Sequence, residues 1–219
     1  MLGTYIREQS QRQLQNNPWA VTAAIDDFAK TKKRLMIFQA PKVKIAREVL
    51  ESMPVPPKVI IEFGTYVGSS AIAWGAILQG FHGLNAAEKG CRVYTFELDP
   101  EMVKLSRELI HLAGLDEIVH VLEGSAAESL EKLYNEGAVT RGGVDMAFID
   151  HWERYYLPDL QWCEELGVFH KGSLVIADNT DIPGAPQYLK YVRAGGTGSV
   201  KYDSKRYDSK TQRGAVSIF

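Results

Sequence analysis

Five short runs of mostly apolar and β-branched residues alternate with segments of helical character after residue 57, and this alternation restricts the fold more than any other feature. The predicted strands are residues 59–63, 92–97, 119–122, 144–149 and 173–177. Residues 146–148 and 174–176 are apolar throughout, which is typical of strands covered on both faces of a parallel sheet. Successive strand–helix units favour right-handed crossovers. We therefore predict an α/β fold with a mostly parallel sheet and helices on both faces.

The two ends of the chain depart from this alternation. Residues 1–57 are predicted to form helices ahead of the sheet, and they end at a proline cluster over 54–57 that no helix can cross. Residues 200–202 and 215–219 are predicted as two strands around a polar loop. They would give a seven-stranded sheet with an antiparallel C-terminal strand. We expect one domain over residues 1–219, in which residues 1–57 cover the ligand site.

The composition gives no reason to expect a nucleic acid or a membrane as partner. Apolar residues make up 45% of the chain, and the net charge is only −2. The sequence has no run of roughly 18 apolar residues that could span a membrane and no signal-type apolar core at its N-terminus. Its two cysteines make no zinc site with the usual spacing and favour free thiols in a reducing compartment. We therefore expect a cytoplasmic protein with a small-molecule substrate, acting as a monomer, with a dimer as the alternative.

Polar side chains follow two of the predicted strands directly. Asp150 comes after the strand at 144–149, and Asp178 with Asn179 comes after the strand at 173–177. Ligands of open α/β sheets bind in the crevice beyond the carboxyl ends of the strands. Two carboxylates and an amide offer three oxygen ligands and leave room for water and substrate oxygens, which suits Mg²⁺. The sequence therefore predicts a magnesium site at this edge of the sheet.

A turn with two glycines links the first predicted strand to its helix. Gly64 and Gly68 permit a tight turn and a close approach of the backbone to a ligand. The Gly-x-x-x-Gly spacing is neither the dinucleotide-binding fingerprint nor a phosphate-binding Walker loop. By itself the turn is also compatible with a plain tight connection.

Two acidic residues indicate what the turn would bind. Glu97 ends the second predicted strand, where it can accept hydrogen bonds from ribose hydroxyls; the alternative is an acidic N-cap of the next helix. Glu62 precedes the turn, which carries no basic residue, so a pyrophosphate is disfavoured. A cationic nucleoside such as S-adenosylmethionine fits better, since a carboxylate attracts its sulfonium and amino groups.

Four sequence motifs of the chain resemble those of a known family. The motifs that carry the resemblance are Glu62-Phe63-Gly64-Thr65-Tyr66-Val67-Gly68-Ser69-Ser70, Ile149-Asp150-His151-Trp152, Tyr156-Leu157-Pro158-Asp159, and Ala177-Asp178-Asn179 with Pro183-Gly184. From about Met36 to the final strand the chain resembles catechol O-methyltransferase. The resemblance implies a Rossmann-like methyltransferase fold and methyl transfer from S-adenosylmethionine to one hydroxyl of a catechol held on Mg²⁺.

The resemblance also implies roles for individual residues. The metal ligands would be Asp150, Asp178 and Asn179. Glu97 would hold the ribose, and Met36 would lie over the donor. The implied donor-binding set is Met36, Glu62, Gly64, Tyr66, Gly68, Ser70, Glu97, Leu98, Ser125, Ala126, Asp150, His151 and Trp152. Within this set, Glu62, Tyr66 and Ser70 would surround the methionine part. His151 and Trp152 would flank the adenine, and Ser125 and Ala126 would line its other edge.

Three positions depart from the family. Glu153 stands where the family has the lysine that acts as general base; we expect Glu153 to replace it, and an exposed glutamate at a helix entry is the alternative. Arg34 stands where the family has a tryptophan that walls the catechol. Residues 211–214 have no acid where the family has one that binds the second hydroxyl.

Lys42 and Lys44 follow Pro41 and are predicted to be exposed lysines near the entrance of the active site.

These departures leave two alternatives to a magnesium-dependent catechol O-methyltransferase. One is an O-methyltransferase of another phenolic acceptor. The other is a donor-binding protein with weak or lost catalysis.

Overall fold

The computed structural model describes residues 1–196, 200–207 and 216–218. It begins with α1 (Leu2–Glu8), α2 (Gln11–Leu14), α3 (Pro18–Thr31) and α4 (Ala40–Glu51). The alternating part comprises β1 (Val59–Phe63), α5 (Ser69–His82), β2 (Arg92–Glu97), α6 (Pro100–Leu112), β3 (Val119–Glu123), α7 (Ala126–Asn135), β4 (Val144–Ile149), α8 (Tyr156–Leu166), β5 (Phe169–Ala177) and α9 (Pro186–Arg193). Short helical turns lie at Glu153–Tyr155 and Thr180–Gly184, and the last strands are β6 (Lys205–Tyr207) and β7 (Val216–Ile218).

The seven strands form one sheet in the order β3-β2-β1-β4-β5-β7-β6. The first five strands pair in parallel, and β7 pairs antiparallel with both β5 and β6. The predicted Rossmann-like α/β fold with a mostly parallel sheet is therefore confirmed. Phe63 pairs with Ile149, and Ile149 pairs with Ala177. This register brings the residues that follow β1, β4 and β5 side by side at the carboxyl edge of the sheet.

Helices cover both faces of the sheet. One core forms where α1, α3, α4, α5 and α6 pack on the first face, and the other forms under α7, α8 and α9. In the first core the Phe148 ring of β4 lies 4.7 Å from Phe38 and 5.1 Å from Trp74, measured between ring centroids. Phe38 lies two residues before the start of α4. The N-terminal segment is therefore packed on the central strand that leads to Asp150.

The predicted exposure of Lys42 is wrong. Helix α4 buries Lys42, Val43, Ala46 and Leu50 on one face, because residues three to four apart share a helix face. Lys42 is 3% exposed, whereas Lys44 points to solvent and lies 3.9 Å from Glu48. Two neighbouring lysines of one helix thus have opposite environments.

The predicted strand at 200–202 is also wrong, since the strand that pairs with β7 begins at Lys205. Tyr202 instead packs beside Tyr191, and its hydroxyl donates a hydrogen bond to Glu164 of α8. These contacts anchor the partly buried Tyr202, and the strand begins five residues later than predicted. No helix in the described ranges is both long and apolar enough to cross a membrane.

Candidate active site

Gly64 brings the turn after β1 into close contact with the end of β4. Its φ of +99° lies in the left-handed region, and a Cβ at this position would stand 2.6 Å from the carbonyl oxygen of Asp150. A side chain would therefore push the two segments apart. Gly68 has a φ of +82° and precedes α5, where a Cβ would stand 3.1 Å from the Cβ of Ser106. Both glycines are thus needed for the geometry of the turn, as the sequence predicts.

Glu62 lies fully buried beneath this turn. Its carboxylate accepts a hydrogen bond of 3.0 Å from the indole Nε1 of Trp74 and one of 2.5 Å from the hydroxyl of Thr95. Burial raises the pKa of Glu62 from 4.5 to about 7, although hydrogen bonds from Thr95, Ser70 and Trp74 oppose the rise. The site therefore contains a desolvated carboxyl group that a cationic ligand group would keep ionised.

Glu97 is held by backbone amides rather than by the helix that follows it. Its Oε2 accepts from the amide of Tyr66 at 2.7 Å, and its Oε1 accepts from the amide of Asp99 at 3.0 Å. The N-cap of α6 is Asp99, which accepts from the amide of Glu101 at 2.9 Å. The alternative role of Glu97 as N-cap is therefore wrong. Its carboxylate is instead fixed against the glycine turn.

His151 is oriented by neighbours on α8. Its Nε2 lies 2.7 Å from Oδ2 of Asp159, and its ring stacks on Tyr156 at 5.4 Å between centroids with an angle of 11°. Its Nδ1 is buried and has no hydrogen-bond partner among the described residues. A buried nitrogen without a hydrogen-bond partner is energetically unfavourable, and a hydrogen bond to a polar ligand atom would remove this cost. This fits the predicted position of His151 beside the adenine of the donor.

The three predicted metal ligands come together at the ends of β4 and β5. The side-chain amide of Asn179 donates to Oδ1 of Asp150 at 3.3 Å, and Asn179 has a left-handed φ of +52°. The hydroxyl of Tyr156 donates to the backbone oxygen of Asp178 at 3.0 Å, which fixes this turn from α8. Burial, followed by the charge of Asp178, raises the pKa of Asp150 well above its ordinary value. Two carboxylates are therefore held together at the strand ends, with Asp178 buried and Asp150 partly buried.

This group also includes a lysine whose position here was not predicted from the sequence. The Nζ of Lys42 lies 2.6 Å from Oδ1 and 2.8 Å from Oδ2 of Asp178, and both side chains are at least 96% buried. Burial raises the pKa of Asp178, while Lys42 opposes the rise. The signal that could have placed Lys42 is its spacing of four and eight residues from Ala46 and Leu50 on the buried face of α4.

The donor set fits a hard divalent cation in its chemistry. Asp150, Asp178 and Asn179 offer only oxygen ligands, and Mg²⁺ in proteins usually has only a few protein ligands. Within the described ranges there is no group of three or more histidine, cysteine or carboxylate side chains that could hold a metal ion. A metal here would therefore depend on the Asn179 amide as third protein ligand. The metal would also have to compete with the Lys42 ammonium for the Asp178 carboxylate.

The remaining predicted donor residues differ in their exposure. Large exposed fractions belong to Met36 (65%), Leu98 (65%), Trp152 (62%) and Tyr66 (37%). Ser125 is the N-cap of α7, with its hydroxyl 3.4 Å from the amide of Glu128, and Ala126 is the first residue of that helix. Ser70 lies buried in the first turn of α5. Four of these side chains thus expose apolar surface.

Glu153 and Arg154 occupy the short helical turn after Trp152. Glu153 is partly buried, and its charge is among the causes that raise the pKa of Asp150, after burial and Asp178. The guanidinium of Arg154 lies 4.5 Å from the ring centroid of Trp152 and 4.9 Å from that of Tyr155. Arg34 is exposed. Residues 211–214, where the family has an acid, lie outside the described residues.

Comparisons with known proteins agree with this architecture. A family model described as O-methyltransferase matches residues 44–186. Catechol O-methyltransferase of Bos taurus is 31% identical over 91% of this chain and 67% of its own length, and that of Mus musculus is 30% identical over 93% and 71%. The crystal structure of the O-methyltransferase TomG from Streptomyces achromogenes, in complex with SAM, shares the fold with a TM-score of 0.69. It is 17% identical and covers 96% of this chain and 98% of its own. The resemblance predicted from the motifs is thereby confirmed, and the chain belongs to the O-methyltransferase family.

Proposed function

We propose that this O-methyltransferase transfers a methyl group from S-adenosylmethionine to one hydroxyl of a catechol-type small molecule, with Mg²⁺ at the acceptor. The observation that carries the proposal is the convergence of Asp150, Asp178 and Asn179 beside the glycine turn that covers Glu62. A hard-cation donor set and a desolvated carboxyl group thus adjoin each other. The relatives named as catechol O-methyltransferases support the same reaction.

Five side chains support a cationic nucleoside as donor. Ionised Glu62 would attract the amino group and the sulfonium, because a charge in a dry site interacts strongly. Glu97, fixed by two backbone amides, would accept from the ribose hydroxyls. The free Nδ1 of His151 would bind a polar atom of the adenine. Tyr66 and Trp152 are exposed aromatic rings that would shelter the sulfonium.

The strand-end group supports an acceptor with two neighbouring oxygens. Asp150, Asp178 and Asn179 would hold Mg²⁺ and leave further positions for both hydroxyls of a catechol. When bound, the ion lowers the pKa of the reacting hydroxyl and fixes its place. The protein then has to align that oxygen with the methyl carbon, and such alignment lowers the barrier by several kcal/mol or more.

Glu153 is the proposed acceptor of the hydroxyl proton. It follows Asp150 by three residues and lies close enough for its charge to act on Asp150. Replacement by glutamine keeps the size and removes the base. We expect Glu153→Gln to lower kcat with little change in KM at neutral pH. We also expect its activity to recover as pH rises, since solvent then removes the proton instead.

The experiment is a methyl-transfer assay with labelled S-adenosylmethionine and a panel of catechols matched to monophenols. We expect transfer to the catechols with Mg²⁺ and its loss with EDTA. Asp150→Asn should lower this transfer at least about a hundredfold, since a metal contributes several kcal/mol. The exposed Asp116→Asn should leave it unchanged.

Two outcomes would contradict the proposal. Equal transfer to monophenols, or transfer that survives EDTA, would favour another phenolic acceptor without metal assistance. Donor binding by calorimetry without transfer to any acceptor would favour a donor-binding protein, the alternative that Glu153 in place of a lysine raises.

A further inference from the structure

We propose that Lys42 is an internal cation that competes with the divalent ion for Asp178, so that metal binding releases a tether between α4 and the sheet. The inference rests on the proposed magnesium-dependent function. It assigns to Lys42 a role that governs metal affinity and the position of the N-terminal segment. Lys42 is thus a positioning residue.

The geometry of the pair supports competition. A single ammonium contacts both oxygens of Asp178, at 2.6 and 2.8 Å, in a site where the two side chains are 4% and 3% exposed. A divalent ion bound by Asp178 needs one of these oxygens. It would then lie close to a positive charge with almost no water between them, and repulsion in such a site is strong. Full metal binding therefore requires the ammonium to move away.

The charges around the pair explain why a cation is held there at all. The charge of Asp178 acts on Asp150, and the charges of Glu62 and Glu153 act on Asp150 as well. Among the described residues, Lys42 is the cation whose ammonium contacts this group. Its charge acts on Asp150 as well as on Asp178. Lys42 thus substitutes for part of the positive charge that a divalent ion would bring.

The location of Lys42 links the metal site to the N-terminal segment. Lys42 lies in the first turn of α4, and its partner is 136 positions later in the chain. The residues just before α4 include Phe38, packed on Phe148, and the exposed Met36. The pair therefore fixes the helix start that follows the segment expected to lie over the donor. Release of the tether would loosen this helix start without removing the aromatic packing.

The test measures Mg²⁺ binding to the full chain by calorimetry, without donor or acceptor. Lys42→Met keeps an apolar stem of similar length and removes the charge, and Lys44→Met is the matched control on the exposed face of the same helix. We expect Lys42→Met to bind Mg²⁺ at least tenfold more tightly than the wild type. Its thermal midpoint should also rise more on addition of Mg²⁺, since Asp178 then has no other cation. Lys44→Met should match the wild type in both measurements.

Unchanged or weaker Mg²⁺ binding by Lys42→Met would overturn the inference, because a lysine that merely orients Asp178 would assist the metal. If Lys42→Met does not fold, hydrogen exchange of the wild type decides. Saturating Mg²⁺ should speed exchange of the amides in the first turns of α4, and unchanged exchange would overturn the proposal. The methyl-transfer assay separates this failure from failure of the function. Metal-dependent transfer with unchanged α4 exchange would leave the reaction standing and remove the tether alone.

Discussion

Replacement of Glu62 by glutamine should change stability and donor binding in opposite directions. The carboxyl group is fully buried, and burial raises its pKa from 4.5 to about 7. An acid whose pKa is raised by folding binds more protons in the folded state than in the unfolded state between these two values. The wild type should therefore lose stability as pH rises from about 4.5 to about 7.

The magnitude follows from the size of the shift. Each pKa unit corresponds to about 1.4 kcal/mol. Ionisation of Glu62 should therefore lower the free energy of unfolding by about 3 kcal/mol at pH 8, and by less than about 1 kcal/mol at pH 5. Glutamine does not titrate and keeps the hydrogen bonds. Its oxygen can accept from Trp74, and its amide can donate to Thr95, whose hydroxyl lies 2.6 Å from that of Thr65.

The assay is urea unfolding of wild type and Glu62→Gln at pH 5 and pH 8. The free energy of unfolding of the variant, relative to wild type, should rise by about 2.5 kcal/mol from the lower to the higher pH. The comparison cancels the titration of all other groups. Glu123→Gln, an exposed position at the end of β3, should show no such rise. A Glu62→Gln difference that is equal at the two pH values would refute the reasoning.

Donor binding gives the opposite sign. At pH 8, Glu62→Gln should bind S-adenosylmethionine at least about tenfold more weakly, because a charge-assisted hydrogen bond contributes about 1.5 kcal/mol or more. Wild-type affinity should rise with pH up to about 7, as the free carboxyl group ionises. The variant should lack this rise. A variant that is more stable and yet binds the donor as tightly as the wild type would separate Glu62 from the donor.

Two further predictions concern the turn and the base-binding side. Gly64→Ala should lower the free energy of unfolding by about 3 kcal/mol in urea, since its Cβ would strike the Asp150 backbone, whereas Gly137→Ala, also at positive φ but with nothing within 4 Å, should lose only about 1 kcal/mol. His151→Phe should lower the free energy of unfolding by about 1–3 kcal/mol, because it leaves the buried Asp159 without its ring partner. It should also weaken S-adenosylmethionine binding in calorimetry, and equal affinity would exclude His151 from the donor site.

The central strands could be predicted from the sequence because they are buried on both faces. The bounds predicted for β1, β2 and β4 agree with the structure to the residue. By contrast, β5 begins at Phe169, four residues before its predicted start. His170 and Lys171 are exposed, so no apolar signal marks that end of the strand. The pattern thus reports burial, and it loses a strand where the strand leaves the core.

The meeting of Asp150 with Asp178 and Asn179 was predictable for a related reason. Parallel neighbours end at the same edge of a sheet, and the pairing of Ile149 with Ala177 aligns the residues that follow. The pairing of Asp178 with Lys42 was not predictable, because it depends on how α4 docks. Lysine is a residue type that is almost never fully buried unless it is paired. Only the partner, 136 positions away, explains its position.

The buried position of Lys42 in turn bears on why the site has this composition. A buried ion pair is weak evidence for stability, because desolvation can exceed the Coulombic gain and well-packed apolar residues often serve as well. A leucine at position 42 would continue the apolar face formed by Val43, Ala46 and Leu50. The fold alone therefore does not call for a lysine there. The two carboxylates at the strand ends require a cation nearby. The fold alone does not require these carboxylates either. The charged group as a whole is thus better explained by chemistry at the site than by the stability of the fold.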